Sequence, residues 1–169
     1  MTMTTPTPTH ALTLERTLKA PRTAVWRCYT EPALLMQWFC PKPWQVVEAR
    51  LDLRVGGSSF VRMQGPGPDG TLMTQDCPGC YLELIALQKI VTTDAFNGDW
   101  LPSAFSNREH PFMVAEVTFA DAPDGGTLYK ATVRHWNAAD ASTHEAMGFH
   151  AGWGAAVDQL DALAVSLAG

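Results

Sequence analysis

Residues 145–167, EAMGFHAGWGAAVDQLDALAVSL, constrain the fold more than any other stretch. They carry the only long, uninterrupted helical pattern in the sequence. Phe149, Trp153, Val157, Leu160, Ala164 and Leu167 recur at three- and four-residue spacing and form one apolar stripe, with Asp158, Gln159, Asp161 and Ser166 outside it. Ser142 followed by Glu145 fits a capping box and sets the predicted helix start there or slightly earlier, at Asp140. Gly148, Gly152 and Gly154 fall in the first half, and a glycine inside a helix costs roughly 1 kcal/mol relative to alanine. On a helical wheel Gly148 and Gly152 share one flank of the stripe. Such a cost is retained where something must approach the helix closely, either another backbone element or a bound molecule.

The rest of the chain supplies what this helix can cover. Residues 1–10, MTMTTPTPTH, are Thr/Pro-rich and read as a disordered tail. A single domain is expected over 11–169. Residues 11–19 alternate as a first strand, Pro21 opens a short helix, and PALLMQWF forms a second one ended by CPKPW. Strand-like runs follow, separated by Gly56-Gly57, GPGPDG, DCPGC and DAPDGG. Residues 97–111 form a long connection of the kind that often serves as a lid. Tight turns between consecutive strands imply an antiparallel sheet. The predicted fold is α+β: a curved sheet of about six strands gripping one long C-terminal helix, with two short helices after the first strand.

Composition narrows the function classes. Hydrophobic residues make up 46% and charged residues 17%, with a formal charge of −5 and no Lys/Arg cluster. Binding to nucleic acid or to an anionic membrane is therefore not expected. No run approaches the roughly 20 apolar residues needed to span a bilayer. No signal peptide is expected, and the four cysteines suggest a reducing cytoplasm.

Several segments together resemble a known family: APRTAVWRCYTEP, LLMQWFCPKPW, VGGSSF, the PDG loop, GCYLELIALQKIVTTDAF and HEAMGFHAGWGAAVDQL. They cover nearly all of the chain after Leu12. The chain resembles the SRPBCC, or START-like helix-grip, superfamily. Within it, it is similar to the group named after the C-terminal domain of the activator of the heat-shock-protein-ninety ATPase. The resemblance implies the fold just derived and an interior cavity that often holds a hydrophobic small molecule. Some relatives are cyclases or hydrolases, some are carriers, and no catalytic motif belongs to all of them.

Individual residues add limited chemistry. Cys77 and Cys80 form a C-x-x-C between strands, without the helix of a redox pair or the second ligand pair of a zinc site, and read as a turn. No metal site and no cofactor is expected. His135 ends a strand whose members Tyr129, Ala131 and Val133 are apolar, so it is predicted to face inward, where it could donate to a ligand, act as an acid or base, or simply be hydrogen-bonded at the end of the sheet. His150 reads as an interface or surface residue, His110 as a solvated loop residue, and Glu83 and Asp94 as pocket carboxylate candidates of undetermined face.

The leading expectation is a small-molecule binding protein. Its cavity is predicted between the sheet and the glycine-bearing half of the helix. The expected lining is Trp38, Phe39, Phe96, Met113, Ala115, Val117, Tyr129, Val133, His135, Met147, Phe149, Gly152 and Trp153, with Trp100 plugging a lid. The alternative is a cyclase- or hydrolase-type enzyme using His135 in the same cavity. A co-chaperone interaction module rests on the family name alone. Trp100, Leu101 and Phe105 in the long connection suggest a homodimer.

Overall fold

A computed structural model describes residues 10–104 and 110–169. The predicted tail, apart from His10, and Phe105 of the predicted lid lie outside the described residues. The chain runs β1 (Ala11–Leu18), α1 (Arg22–Thr30), α2 (Pro32–Leu35), β2 (Gln45–Leu51), β3 (Ser59–Pro66) and β4 (Leu72–Cys77). It continues through β5 (Cys80–Ile85), β6 (Lys89–Thr93), a 3-10 turn (Gly98–Trp100), β7 (Val114–Asp121), β8 (Thr127–Arg134), α3 (Ala138–Ala146) and α4 (Phe149–Ala168). Among the described residues eight strands stand where about six were expected, all paired antiparallel.

They form a five-stranded sheet, ordered β1-β8-β7-β6-β5, and a three-stranded one, β2-β3-β4. The two are stitched by backbone bonds around the Gly56-Gly57 turn. Gly56 N–H donates to Tyr81 O, Tyr81 N–H to Gly57 O, and Ser59 N–H to Gly79 O, at 2.8–3.0 Å. The 77–80 turn thus carries the chain from one sheet to the other. No disulfide joins any of the four cysteines.

Register decides which side chains meet the helices. Leu12 and Ala115 both stand opposite Val133, Leu14 and Val117 opposite Ala131, and Phe119 opposite Tyr129. Directly opposed residues share a face, so these form one apolar surface. It joins one core cluster with Phe149, Ala156, Val157, Leu160 and Ala164 of α4 and with Val25 and Cys28 of α1. Val25, Val133 and Leu160 are fully buried, which is worth about 1.5–3 kcal/mol each. A smaller cluster, Leu35, Cys40, Val46 and Val61, joins α2 to the three-stranded sheet. Asp161 ties α4 to the end of β1. Its carboxylate accepts from Lys19 N and Ala20 N at 2.9–3.1 Å.

The helical stretch differs from its expectation in two ways. Gly148 has φ 95° and ψ 37°, left-handed values that no helix interior holds, so the stretch is two helices and not one. The start is capped by Asn137, whose side chain accepts from Asp140 N at 2.8 Å, and not by Ser142. Gly152 and Gly154 do lie inside α4. A Cβ on Gly154 would come within 3.0 Å of Arg16 Nη2, whereas one on Gly152 would meet nothing within 4 Å.

Candidate functional site

The inner face of the five-stranded sheet ends in a polar rim, where Asp94, residues 110–113, the end of β8 and α3 come together. His135 follows β8 with the inward parity of Ala131 and Val133, and it is only 7% exposed. Its backbone N–H donates to His10 O at 2.9 Å, which continues the β1–β8 pairing one step past both strands.

Both ring nitrogens of His135 are engaged. Nδ1 lies 2.9 Å from Phe112 O, and Nε2 lies 2.9 Å from His144 Nδ1. A carbonyl oxygen only accepts, so His135 Nδ1 carries a proton. With one proton on the His135 ring, Nε2 is then the acceptor and His144 Nδ1–H the donor. That leaves His144 Nε2 as a lone pair, which makes no hydrogen bond among the described residues.

Aromatic rings surround His144. It meets Phe149 edge-on at 5.3 Å and Trp153 at 6.3 Å between centroids, and it stands perpendicular to His135. Burial, then the nearby His135 and His110, push the His144 imidazole down to about 4, while Asp94 acts in the opposite direction. His144 is therefore neutral at pH 7. Asp94 Oδ1 accepts from Met113 N at 2.9 Å, and His110 Nδ1 lies 3.8 Å from Asp94 Oδ2. Among the described residues no group of three or more His, Cys, Asp or Glu is placed to hold a metal ion.

The residues expected to line a cavity sort by burial. Trp38, Ala115, Val117, Tyr129, Val133 and Phe149 are buried members of the main core. Trp38 donates its indole N–H to Cys28 O at 2.9 Å. Tyr129 Oη lies 2.7 Å from Tyr29 Oη, and burial pushes the Tyr129 phenol up to about 12. Met113 and Trp153 pack against this core while staying partly exposed. Gly152 faces open space. Phe39, Phe96 and Met147 lie at the surface. Met147 caps α3 and is turned outward by the break at Gly148.

Trp100, expected to plug a lid, lies instead over Gly56, where a Cβ would come within 2.8 Å of its indole nitrogen. It meets Phe96 edge-on at 6.3 Å. Asp99 and Trp100 both have positive φ, held by Asp99 N–H to Gly56 O at 2.7 Å and by Arg54 on the Asp99 carboxylate at 2.7 Å. Glu83 pairs with Lys89 at 3.5 Å on the outer face of the sheet. His150 is exposed, 3.5 Å from Glu145. His110, read as a solvated loop residue, is instead a half-buried neighbour of Asp94.

His144 is the residue that sequence reasoning missed. A separate half-open depression of about 400 Å³ lies between the α2–β2 connection and α4, lined by residues including Met36, Lys42, Trp44 and Gln159. It contains none of the expected lining. Its Gln159 amide is already committed to Trp38 O and Cys40 O at 2.9 Å. No helix among the described residues is long and apolar enough to cross a membrane.

Comparison with known proteins places this architecture. The sequence profile described as Activator of Hsp90 ATPase homolog 1-like protein matches residues 19–164. Among solved structures, protein NE0264 from Nitrosomonas europaea is 36% identical, with a TM-score of 0.80 over 90% of this chain and 92% of its own. Protein Ms6760 from Mycobacterium smegmatis is 26% identical, with a TM-score of 0.72 over 92% and 90%. A protein from Staphylococcus epidermidis, solved by NMR, shares the fold at 24% identity, with a TM-score of 0.75 over 97% and 94%. No curated protein matches the chain.

Proposed function

The chain belongs to the family of Activator of Hsp90 ATPase homolog 1-like proteins, in the SRPBCC superfamily, and from that footing we propose that it binds an apolar small molecule. The binding region is the cleft between the inner face of the five-stranded sheet, at the Met113–His135 end, and the first turns of α4. One observation carries this reading: the first turns of α4 leave one flank, at Gly152, uncovered. Its stripe residues Phe149, Val157, Leu160 and Ala164 are buried along the whole helix. Its first turns leave Trp153 partly exposed and Gly152 facing open space, and Met113, packed against the same core, is also partly exposed. An apolar surface left open beside a few fixed polar groups is the general make-up of a small-molecule site.

Native mass spectrometry of freshly purified protein tests the proposal, with a co-purifying apolar mass as the expected result. Gly152→Leu should reduce retention of that mass and leave the melting temperature within a few degrees of wild type, because the added side chain enters open space. Full retention in a folded Gly152→Leu protein would move the site elsewhere, with the depression beside Gln159 the first place to look.

A second reading, an enzyme of the cyclase or hydrolase kind, is favoured by the His135–His144 pair. An imidazole oriented by a second group is the usual form of a general base. Turnover of the co-purified molecule, lost in both His135→Ala and His144→Ala with the fold intact, would establish it. Turnover unchanged in both variants would dismiss it.

A further inference from the structure

Resting on the binding reading above, we propose that His144, and not His135, is the polar anchor of the cleft, and that it selects ligands bearing a hydroxyl or other hydrogen-bond donor on an apolar body. Proton placement singles out His144. Phe112 O and His144 Nδ1 occupy both nitrogens of His135, so the histidine read from the sequence has no atom left for a ligand. The Phe112 carbonyl fixes the His135 tautomer, and His135 in turn fixes that of His144. What emerges from the relay is a single lone pair on His144 Nε2, pointing away from His135.

The surroundings hold that lone pair in place. Phe149 and Trp153 meet the His144 ring at steep interplanar angles of 73° and 69°, so it is braced by two rings as well as by its hydrogen bond. Both are residues of α4, the wall of the proposed cleft, and Trp153 keeps some accessible surface there. A neutral acceptor in an aromatic setting favours an O–H donor. It offers nothing to a carboxylate and little to a pure hydrocarbon.

The test uses two probes of nearly the same shape, 1-naphthol and 1-methylnaphthalene, which differ by a hydroxyl in place of a methyl. Isothermal titration should show 1-naphthol binding roughly fivefold or more tighter, the fold-change of one modest hydrogen bond. His144→Phe, which preserves the ring contacts and removes the acceptor, should abolish that preference while 1-methylnaphthalene still binds. Long-range proton–nitrogen NMR on the wild-type protein reads the tautomers directly, with His144 Nε2 expected to be unprotonated at pH 7 and to shift on adding 1-naphthol. Equal binding of the two probes would overturn the anchor and leave the binding reading standing. Binding of neither would overturn both. A protonated His144 Nε2 in the free protein would overturn the anchor even if His144→Phe failed to fold.

Discussion

Gly148 and Gly152 sit one helical turn apart, and a Cβ on either would find nothing within 4 Å. Steric space alone therefore predicts the same outcome for alanine at both. Backbone conformation predicts opposite outcomes. Gly152 is inside α4, and its N–H donates to Gly148 O at 2.8 Å. Alanine there should stabilise the domain by about 1 kcal/mol, the usual difference between the two residues in a helix interior. Gly148 holds φ 95° and ψ 37°, so alanine there should destabilise it by roughly 1–2 kcal/mol, the cost of placing a Cβ in the left-handed region. The two variants should thus differ by roughly 2–3 kcal/mol, or on the order of 5–10 °C in melting temperature for a domain of this size. Urea unfolding followed by circular dichroism measures both, and an unchanged m-value confirms that only stability has moved. If the two alanines shift the midpoint in the same direction, the break between α3 and α4 is not fixed by Gly148 and the reasoning fails.

Three further outcomes follow from the geometry. The His144 pKa lies at about 4, below its ordinary 6.5, so the unfolded chain takes up the proton first. The stability this provides is complete above pH 6.5 and is lost as pH falls through 4. At about 1.4 kcal/mol per unit, discounted for the partly solvated ring, it amounts to about 1–2 kcal/mol. Urea midpoints at pH 7 and pH 4 should show this loss in the wild type and not in His144→Phe; equal losses would count against it. Tyr29→Phe should cost about 1–3 kcal/mol by leaving the Tyr129 hydroxyl buried without its partner. Adding Tyr129→Phe should cost less than the sum of the two single changes in a double-mutant cycle. Asp161→Ala should cost about 1.5–3 kcal/mol by removing a charged acceptor from Lys19 N and Ala20 N. Hydrogen exchange should accelerate first at those two amides, and unchanged protection there would exclude the proposed tie.

The fold was legible because two periodicities survive in the sequence. Leu12 and Leu14, like Ala115, Val117 and Phe119, alternate at period two and are buried on one face. Phe149, Val157, Leu160 and Ala164 recur at helical spacing and are buried together against that face. These patterns fix sheet, helix and cover without reference to any distant residue. The strand count was less legible because β4 and β5 meet at the 77–80 turn yet belong to different sheets. Adjacency in sequence there implied one meander where the chain in fact changes sheet. The expected position of Trp100 failed for a related reason. Its place over Gly56 depends on two positive-φ residues in the 97–101 loop, and nothing in the side-chain pattern encodes those angles.

The candidate site was half legible, and the missing half traces to one dihedral angle. On an unbroken helix of 100° per residue, His144 would lie about 140° around from Phe149, on the flank of Gly148 and Gly152. Read that way it has no route to His135. The left-handed turn at Gly148 ends α3 and restarts the chain as α4, and so changes the phase between them. His144 then comes against Phe149 and Trp153, with its Nδ1 2.9 Å from His135 Nε2. A glycine inside a helical pattern looks the same in sequence whether it continues the helix, as Gly152 does, or breaks it, as Gly148 does. The inward parity of His135 was readable from β8, but its partner depended on which glycine did the breaking. The helix break and the histidine pair are therefore one structural feature: the residue that interrupts the longest helical pattern in the chain is the one that turns His144 toward His135.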